Sequence, residues 1–411
     1  MATVDHAAAL ALERARALDA GDPLAPFLER FVVRDPALVY FDGNSLGRLP
    51  RATSERLRSV VEEEWGDELI AAWEHWMELP VEVGDSLARS VLGAAPGEVI
   101  VADSTTIDFF RLASAALEAR PGRRVIVTDR ANFPTDRYVL EGIARARGLT
   151  VRWLDVDPID GPSLADVEAS LDDQVALVTL SHVNYRSAAI ADIGAIGELA
   201  RARGALTLWD LSHSAGVLQV DLAAIGADLA VGCTYKYLNA GPGAPAFQFV
   251  RTDLQAELRT PTQGWLGRHD PFAMGQGWEP ADGIRGWLAG TPSILGLVAV
   301  DEGVRLVADA GLDRIRAKSA ALTAFAIEVV DAWPAALACT IASPRAAARR
   351  GGHVAIRHVR ARELRAELAA VGVVVDFREP EALRIGLSPL TTSFASVAEG
   401  LGRLRALLAG R

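Results

Sequence analysis

The sequence has only two cysteines, Cys233 and Cys339, among its 411 residues. Two cysteines cannot build the disulfide framework that stabilises many small secreted proteins, and nothing else indicates an oxidising compartment. The first residues are apolar only briefly and lack a basic leader. Because they continue into Glu13, Arg14 and Arg16, we expect an amphipathic helix there rather than a signal peptide. The expected location is the cytoplasm.

The sequence also lacks a long apolar run and a basic block. No uninterrupted apolar stretch approaches the length of a membrane span, so no membrane partner is expected. The formal charge is −11 at pH 7 and the arginines are scattered, which argues against nucleic acid as a partner. Half of the residues are hydrophobic and 23% are charged, as in globular proteins, and the length allows a second, smaller domain. No metal site is predicted.

Lysine is the most informative shortage, because only two of the 42 basic residues are lysines. Lys318 lies in a polar run that is typical of the solvated face of a helix. Lys236 lies between two tyrosines and is followed by a turn rich in glycine and proline. Arginine stays protonated and forms no imine with a carbonyl, whereas a desolvated lysine can lose its proton and attack as an amine. Lys236 is therefore predicted to form a Schiff base, which indicates a pyridoxal-phosphate enzyme.

From about residue 98, short apolar runs alternate with helical stretches rich in alanine, leucine and arginine. Continuous apolar strands that alternate with helices predict an α/β fold, with a mostly parallel sheet sandwiched by helices. A long helical region from about residue 295 to 333, with a break near Gly311, precedes shorter strands and a last helix. We expect a large domain over 46–300, a smaller C-terminal α+β domain over 301–411, and an N-terminal segment over 1–45 that packs on the small domain.

Asp210 ends the apolar run Leu206–Asp210, and ligands of open α/β sheets bind beyond the carboxyl ends of strands. A carboxylate there suits the pyridinium nitrogen of pyridoxal phosphate, since it keeps the ring protonated. His213 follows and is placed to flank the ring or to brace Asp210. A lone aspartate at a strand end is more often a helix cap. That interpretation weakens here because Lys236 follows the next apolar run.

Two other strand ends carry polar residues that suit a phosphorylated ligand. Thr105 and Thr106 lie between a strand and a helix, where backbone N–H groups and hydroxyls cradle phosphate. Hydroxyl residues also cap most helices, so this pattern is weak alone, and no G-x-G-x-x-G dinucleotide motif is present. Phe133 and Asp136 follow another strand and offer an aromatic face and a carboxylate, or else an ordinary turn.

Arg384 is a charge within an otherwise apolar strand near the C-terminus. A buried arginine needs a partner, and its planar fork matches a carboxylate. Binding of a substrate α-carboxylate and a structural ion pair explain Arg384 about equally well.

Six motifs together resemble the kynureninase family, which belongs to the fold-type-I pyridoxal-phosphate enzymes. The motifs are Asn44-Ser-Leu-Gly47, Ser181-His-Val-Asn-Tyr-Arg-Ser187, Trp209-Asp-Leu-Ser-His-Ser-Ala-Gly216, Gly232-Cys-Thr-Tyr-Lys-Tyr-Leu-Asn239, Gly264-Trp-Leu-Gly267 and Gly290-Thr-Pro292. The resemblance extends from about residue 38 to about residue 400. It implies an obligate homodimer with shared active sites and an amino-acid substrate.

The resemblance also implies roles for particular residues. Lys236 would carry the cofactor, Asp210 and His213 would attend its ring, and Phe133 would stack on the ring with Asp136 nearby. The residues expected around the cofactor, largely near its phosphate, are Thr105, Thr106, Ser181 and Tyr235. Trp265 and Thr291 would come from the neighbouring subunit, and Arg384 would bind the substrate carboxylate. Trp73 is a candidate for the aryl pocket, although core packing explains it equally well.

Several positions depart from the family pattern, and they concern the substrate more than the cofactor. They are Asp108 for a usual asparagine, Ala188 and Ala240 for glycines, Arg268 for a histidine and Thr391 for a tyrosine. A ring-substituted kynurenine, as in a secondary-metabolite pathway, is therefore an alternative to kynurenine itself.

The predicted reaction is hydrolysis of L-kynurenine, or of a relative such as 3-hydroxykynurenine, to an anthranilate and L-alanine. Tyr235 is the candidate for later proton transfers, because a phenol near a phosphate can relay protons. A cysteine desulfurase or selenocysteine lyase is the nearest alternative, and Cys339 is its candidate nucleophile. The surroundings of Cys339 are more typical of a buried strand, where cysteine acts as a small hydrophobe. A non-catalytic protein that binds pyridoxal phosphate is a third possibility.

Overall fold

The apolar runs form strands and the segments between them form helices in the computed structural model, which describes residues 2–410 and the side chains of residues 8–410. The strands are β1 Val39–Tyr40, β2 Val99–Ala102, β3 Val125–Asp129, β4 Thr150–Leu154, β5 Val175–Ser181, β6 Leu206–Asp210, β7 Leu229–Gly232, β8 Ala246–Val250, β9 Thr340–Ile341, β10 His353–Arg357, β11 Val373–Val374, β12 Asp376–Arg378 and β13 Ala382–Gly386. The α-helices are α1 Ala2–Ala20, α2 Arg51–Ser59, α3 Trp73–Trp76, α4 Leu79–Leu87, α5 Thr105–Glu118, α6 Pro134–Arg147, α7 Leu164–Ala169, α8 Ile193–Ala202, α9 Thr252–Gln255, α10 Ile294–Ala310, α11 Leu312–Asp331, α12 Ala361–Ala370 and α13 Phe394–Ala409.

Seven strands form the large sheet in the order β2-β8-β7-β6-β5-β3-β4. Strands β3 to β7 pair in parallel, whereas β8 runs antiparallel to both of its neighbours. The predicted α/β sandwich with a mostly parallel sheet is confirmed. The parallel pairing of β6 with β7 matters most for function, since it brings the chain segments after Asp210 and Gly232 to one edge of the sheet.

Both faces of the large sheet are buried, and successive residues of a strand enter different cores. Val99 and Val101 of β2 pack into one hydrophobic cluster, and Ile100 and Ala102 pack into the other. Because side chains alternate between the faces of a strand, a continuous apolar run is what a sheet covered on both faces requires. In a sheet covered in this way, ligands bind beyond the carboxyl ends of the strands.

The C-terminal part has its own antiparallel sheet in the order β12-β13-β10-β9. The predicted helical break is present, because α10 ends at Ala310 and α11 begins at Leu312, with Gly311 at a φ of +78° between them. Near the N-terminus, β1 pairs in parallel with β11, and Phe41 packs in the C-terminal core. The division of the chain into three units remains a prediction.

The structure corrects two interpretations of single residues. Lys318 is not solvated: its Nζ lies 2.6 Å from Oδ2 of Asp22, and both side chains are buried. The loop after α1 therefore covers the helix face that contains Lys318. The polar sequence around Lys318 had suggested that this face is exposed. Cys339 lies directly before the two-residue strand β9 and is only half-buried, so it is not part of a buried strand. In the described range, no helix has both the length and the apolar composition needed to cross a membrane.

Candidate active site

The carboxyl ends of β5, β6 and β7 open into a cavity of about 280 Å³ between the large sheet and the C-terminal sheet. Polar and aromatic side chains from both parts line it, namely Ser45, Thr105, Thr106, Phe133, Thr135, Asp136, Ser181, Tyr185, Asp210, Ser212, His213, Tyr235, Lys236, Arg378 and Arg384. The cavity therefore contains most of the residues that the sequence predicts. Among the described residues, no group of three or more His, Cys, Asp or Glu side chains is placed to hold a metal ion.

Lys236 projects into this cavity from the loop after β7. Its Nζ lies 3.3 Å from Nε2 of His213 and 5.9 Å from the centroids of the Phe133 and Tyr235 rings. The loop is supported from the N-terminal side, where the backbone N–H of Gly47 donates to the carbonyl of Tyr235 at 2.8 Å. A Cβ at Gly47 would lie 2.4 Å from the carbonyl oxygen of Lys236, so only glycine permits this approach. The Asn44–Gly47 motif thus holds the lysine loop in place.

Burial sets the charge states of the polar groups around Lys236. Burial, and next the charge of Lys236, depress the pKa of His213 well below its ordinary value, so the imidazole is neutral. Burial, and next the charge of Asp210, raise the pKa of Asp136 well above its ordinary value. Oδ1 of Asp210 accepts a hydrogen bond of 2.7 Å from the backbone N–H of Ser212. Asp136 and Asp210 therefore place two buried carboxyl groups in the cavity that contains the Lys236 amine.

Four buried polar atoms of cavity residues make no hydrogen bond to any described residue. They are Oδ2 of Asp136, Nδ1 of His213, and Nε of Arg378 and of Arg384. Buried polar atoms are almost always paired, and an unpaired one costs about 1–3 kcal/mol. These unpaired atoms are therefore available to a polar ligand in the cavity.

The N-terminus of α5 faces the same cavity through Thr105 and Thr106. Before it, Asp103 has a φ of +48°, and Arg111 holds its carboxylate at 2.8 Å. At the end of β5, the hydroxyl of Ser181 donates to Oδ1 of Asn132 at 2.6 Å. Free N–H groups at a helix start and nearby hydroxyls suit a phosphate group.

Arg384 enters the cavity from β13 and is almost fully buried. Its Nη2 lies 2.8 Å from Oδ2 of Asp376, and its Nη1 donates to the carbonyl of Tyr185 at 2.8 Å. Arg384 thus forms an ion pair with Asp376 and also lines the cavity. The two interpretations of this residue are compatible.

Three predicted residues do not line the cavity within one chain. Trp265 is 37% exposed and packs its ring against Phe272, and Thr291 borders a small separate recess. Trp73 lines a separate apolar groove on the surface. For Trp265 and Thr291 this placement leaves room for the predicted contribution to a neighbouring subunit.

Several cavity residues were not predicted from the sequence. They are Ser45, Thr135, Tyr185, Ser212 and Arg378. Most of them lie in loops, where hydrophobic periodicity carries no information about position. The sequence did contain an indication of Arg378. It follows Asp376 by two residues, a spacing that places both side chains on one face of a strand.

Comparisons with known proteins relate this site to known chemistry. The aminotransferase class-V family profile matches residues 75–376. A kynureninase of Burkholderia pseudomallei is 43% identical over 405 residues, which cover 96% of this chain and 95% of the relative. A kynureninase of Pseudomonas fluorescens is 41% identical over 400 residues, which cover 95% of this chain and 94% of the relative.

The chain belongs to the kynureninase family.

Solved structures show the same fold at lower identity. A cysteine desulfurase from Thermococcus onnurineus superposes with a TM-score of 0.80 at 20% identity, over 91% of this chain and 95% of that one. The cysteine desulfurase CsdA from Escherichia coli gives a TM-score of 0.81 at 16% identity, over 93% and 98% of the two chains. These similarities confirm the predicted fold-type-I architecture.

The structure accounts for the departure at Asp108 and shows why the kynureninase family pattern has glycine at position 188. Burial, opposed by Arg111, raises the pKa of Asp108 well above its ordinary value. A neutral carboxyl has nearly the shape of the usual asparagine side chain. Ala188 has a φ of +65°, a conformation that favours glycine, which explains why the family pattern has glycine there. Nothing in the structure explains the changes at Ala240, Arg268 and Thr391.

Proposed function

We propose that this chain is a pyridoxal-phosphate-dependent hydrolase that cleaves L-kynurenine, or a ring-substituted relative such as 3-hydroxykynurenine, to an anthranilate and L-alanine. The kynureninase relatives, at 41–43% identity over nearly the whole chain, support this reaction. The observation that carries it is the position of the Lys236 amine, 3.3 Å from a neutral imidazole in a cavity that also contains Asp210. A cytoplasmic location, which suits the two free cysteines, belongs to the same proposal.

The cavity residues fit pyridoxal phosphate at three points. The start of α5 with Thr105 and Thr106 would hold the phosphate, and Asp210 would face the ring nitrogen. Lys236 would hold the carbonyl carbon, and the unpaired atoms of Asp136 and His213 are free for the polar edge of the ring. When bound, the cofactor supplies an electron sink for the bonds at the substrate's α-carbon.

The protein's own groups would then divide the proton transfers. Once its Nζ is free, Lys236 would be the base for the α-proton. The imidazole of His213 beside it is neutral, so it can share a hydrogen bond with the Lys236 amine without adding a second positive charge. Burial raises the pKa of Tyr235 above its ordinary value, so its phenol stays protonated. A protonated phenol can pass a proton to the substrate, so Tyr235 is the candidate donor in the later steps that add water and break the Cβ–Cγ bond.

A desulfurase reaction is less well supported. It needs a nucleophilic thiolate at the substrate, and Cys339 does not line the cavity. Burial also raises the pKa of Cys339 to about 11, so at neutral pH it is a thiol.

Incubation of the purified, cofactor-loaded protein with L-kynurenine tests the proposed reaction. We expect equal amounts of anthranilate, measured by its fluorescence, and of alanine, measured by chromatography. Parallel reactions with 3-hydroxykynurenine show which ring the enzyme prefers. Sulfide release from L-cysteine without any anthranilate from either kynurenine would contradict the proposed reaction and favour the desulfurase.

We further propose a homodimer in which Trp265 and Thr291 complete the cavity of the neighbouring subunit. Their separation from the cavity within one chain supports this arrangement, as does the exposure of large apolar side chains near them. Phe272 and Met274 are mostly exposed, and Trp65 and Ile70 are exposed beside the groove that Trp73 lines. Exposed apolar surface of this kind is typical of an interface.

Mixing of two inactive variants tests the shared site. A mixed dimer of Lys236→Ala and Trp265→Ala subunits has one cavity with both residues intact, so random exchange should restore about a quarter of wild-type activity. Lys236→Ala mixed with Asp210→Ala is the matched control and should recover nothing, because each cavity then lacks one residue of its own chain. If mass spectrometry shows mixed dimers but the first mixture stays inactive, the cavity does not need Trp265 of a partner.

A further inference from the structure

The hairpin of β12 and β13 places three charged side chains on one face. Asp376 pairs directly with Arg384, and Arg378 pairs with Ala382. Directly opposed residues of an antiparallel pair share a face, as do residues two apart on one strand. Asp376, Arg378 and Arg384 therefore lie on one face of the hairpin, and Arg378 and Arg384 line the cavity. Because Ala382 is small, it leaves room for the longer arginine opposite it.

The donors of Arg384 are largely occupied by the protein. Nη1 donates to the carbonyl of Tyr185, and Nη2 donates to Oγ of Ser45 at 2.5 Å while lying 2.8 Å from the Asp376 carboxylate. Asp42 lies 4.0 Å from the same nitrogen, so two carboxylates compensate this one charge. Only 2% of the side chain is exposed. Arg384 is therefore held through both of its Nη groups, whereas its buried Nε makes no hydrogen bond to a described residue.

Arg378 is in the opposite situation. Its side chain is 34% exposed and lines the same cavity. Its Nε lies 2.8 Å from Oδ2 of Asp376, and its guanidinium lies 5.7 Å from the centroid of the Tyr185 ring. In the part of the chain that the structure describes, its two Nη groups make no hydrogen bond. The Nε–Oδ2 contact is an ion pair without hydrogen-bond geometry. It leaves the outer edge of the guanidinium, with both Nη groups, free to bind a carboxylate through two parallel hydrogen bonds.

We propose that Arg378 is a second substrate-binding residue, which binds the α-carboxylate of the amino-acid substrate together with Arg384. Arg384 supplies a fixed positive charge in the wall, and Arg378 supplies the free fork. Asp376 positions both guanidinium groups because each lies 2.8 Å from its Oδ2. This role rests on the proposed function, since it assumes an amino-acid substrate in the cavity.

Two truncated kynurenines separate carboxylate binding from general damage to the cavity. One, 4-(2-aminophenyl)-4-oxobutanoate, keeps the α-carboxylate position and lacks the α-amino group. The other, 3-amino-1-(2-aminophenyl)propan-1-one, keeps the amine and lacks the carboxylate. Calorimetric titration of each into wild-type and Arg378→Gln holoenzyme should show affinity for the first probe falling by about tenfold to a hundredfold, and affinity for the second changing less than about twofold. KM for L-kynurenine should rise by a similar factor with little change in kcat.

Two further variants serve as controls. Phe377 lies between Asp376 and Arg378 in β12, so its ring is on the opposite face of that strand, and the exposed guanidinium of Arg362 lies 4.7 Å from the ring. The Arg362→Gln enzyme should therefore bind both probes normally. Arg378→Lys keeps the charge without the fork and should recover part of the lost affinity.

The possible results decide between the roles. Equal loss for both probes, or no loss for either, would overturn the assignment of Arg378. If wild-type enzyme binds the carboxylate probe but hydrolyses no kynurenine, the proposed reaction fails, and the affinities still decide the role of Arg378.

Discussion

Replacement of Lys236 with alanine is expected to lower turnover of L-kynurenine by about a thousandfold or more, because it removes the group proposed both to hold the cofactor and to act as base for the α-proton. The side chain is half-buried and contacts the His213 imidazole rather than an acidic partner, so its removal should leave the fold intact. Borohydride reduction followed by peptide mass spectrometry should find the cofactor on Lys236 in wild-type protein and nowhere in the variant.

The second lysine of the chain provides a matched control. Lys318→Arg keeps a cation beside Asp22 and should leave both the label and turnover unchanged. Lys236→Arg keeps a cation in the cavity but cannot form an imine, so it should be as inactive as Lys236→Ala. A trapped cofactor on Lys318 in wild-type protein would overturn the assignment of Lys236.

Replacement of Asp210 should cost nearly as much as loss of the lysine. Without an anion at the ring nitrogen the cofactor is a poor electron sink, and kcat should fall on the order of a thousandfold. Asp210→Asn keeps an oxygen that can accept the hydrogen bond from the backbone of Ser212, whereas Asp210→Ala does not. If the charge is what matters, both variants should lose activity about equally while they keep their cofactor.

The contrast between these two variants also identifies a structural role. If Asp210→Asn turns over kynurenine nearly normally and only Asp210→Ala is impaired, Asp210 shapes the turn after β6 and its charge is not needed. Thermal melting and cofactor stoichiometry on the same preparations separate misfolding from a slow reaction.

Hydrophobic pattern predicted the large sheet well because β2, β3, β5, β6 and β7 are mostly apolar runs buried on both faces, whereas the edge strand β4 is partly exposed. The reversed strand β8 was not predicted. Its sequence, Ala246–Val250, is apolar like the others, and the direction of a strand depends on the path of the chain, which local pattern does not encode.

The residues of the candidate site also fall into two groups: those that local sequence pattern reveals and those that it does not. Asp210 and Lys236 could be found because they follow neighbouring strands, whose ends meet at one sheet edge. Tyr185 and Ser45 could not, since they reach the cavity from loops that approach it only in the folded chain. Lys318 was misjudged for a related reason: its neighbours in sequence are polar, but the segment containing Asp22 covers it. Pairs formed between distant segments leave no periodic pattern to detect.

The burial of Lys318 has a practical consequence for chemical modification. Its amine is held in an ion pair, so among the two lysine side chains only that of Lys236 opens into a cavity. In cofactor-free protein, lysine-directed reagents such as activated esters would therefore modify Lys236 and block cofactor binding rather than act as harmless surface labels. Dyes, crosslinkers and solid supports for this protein should instead be attached through an introduced cysteine far from the cavity.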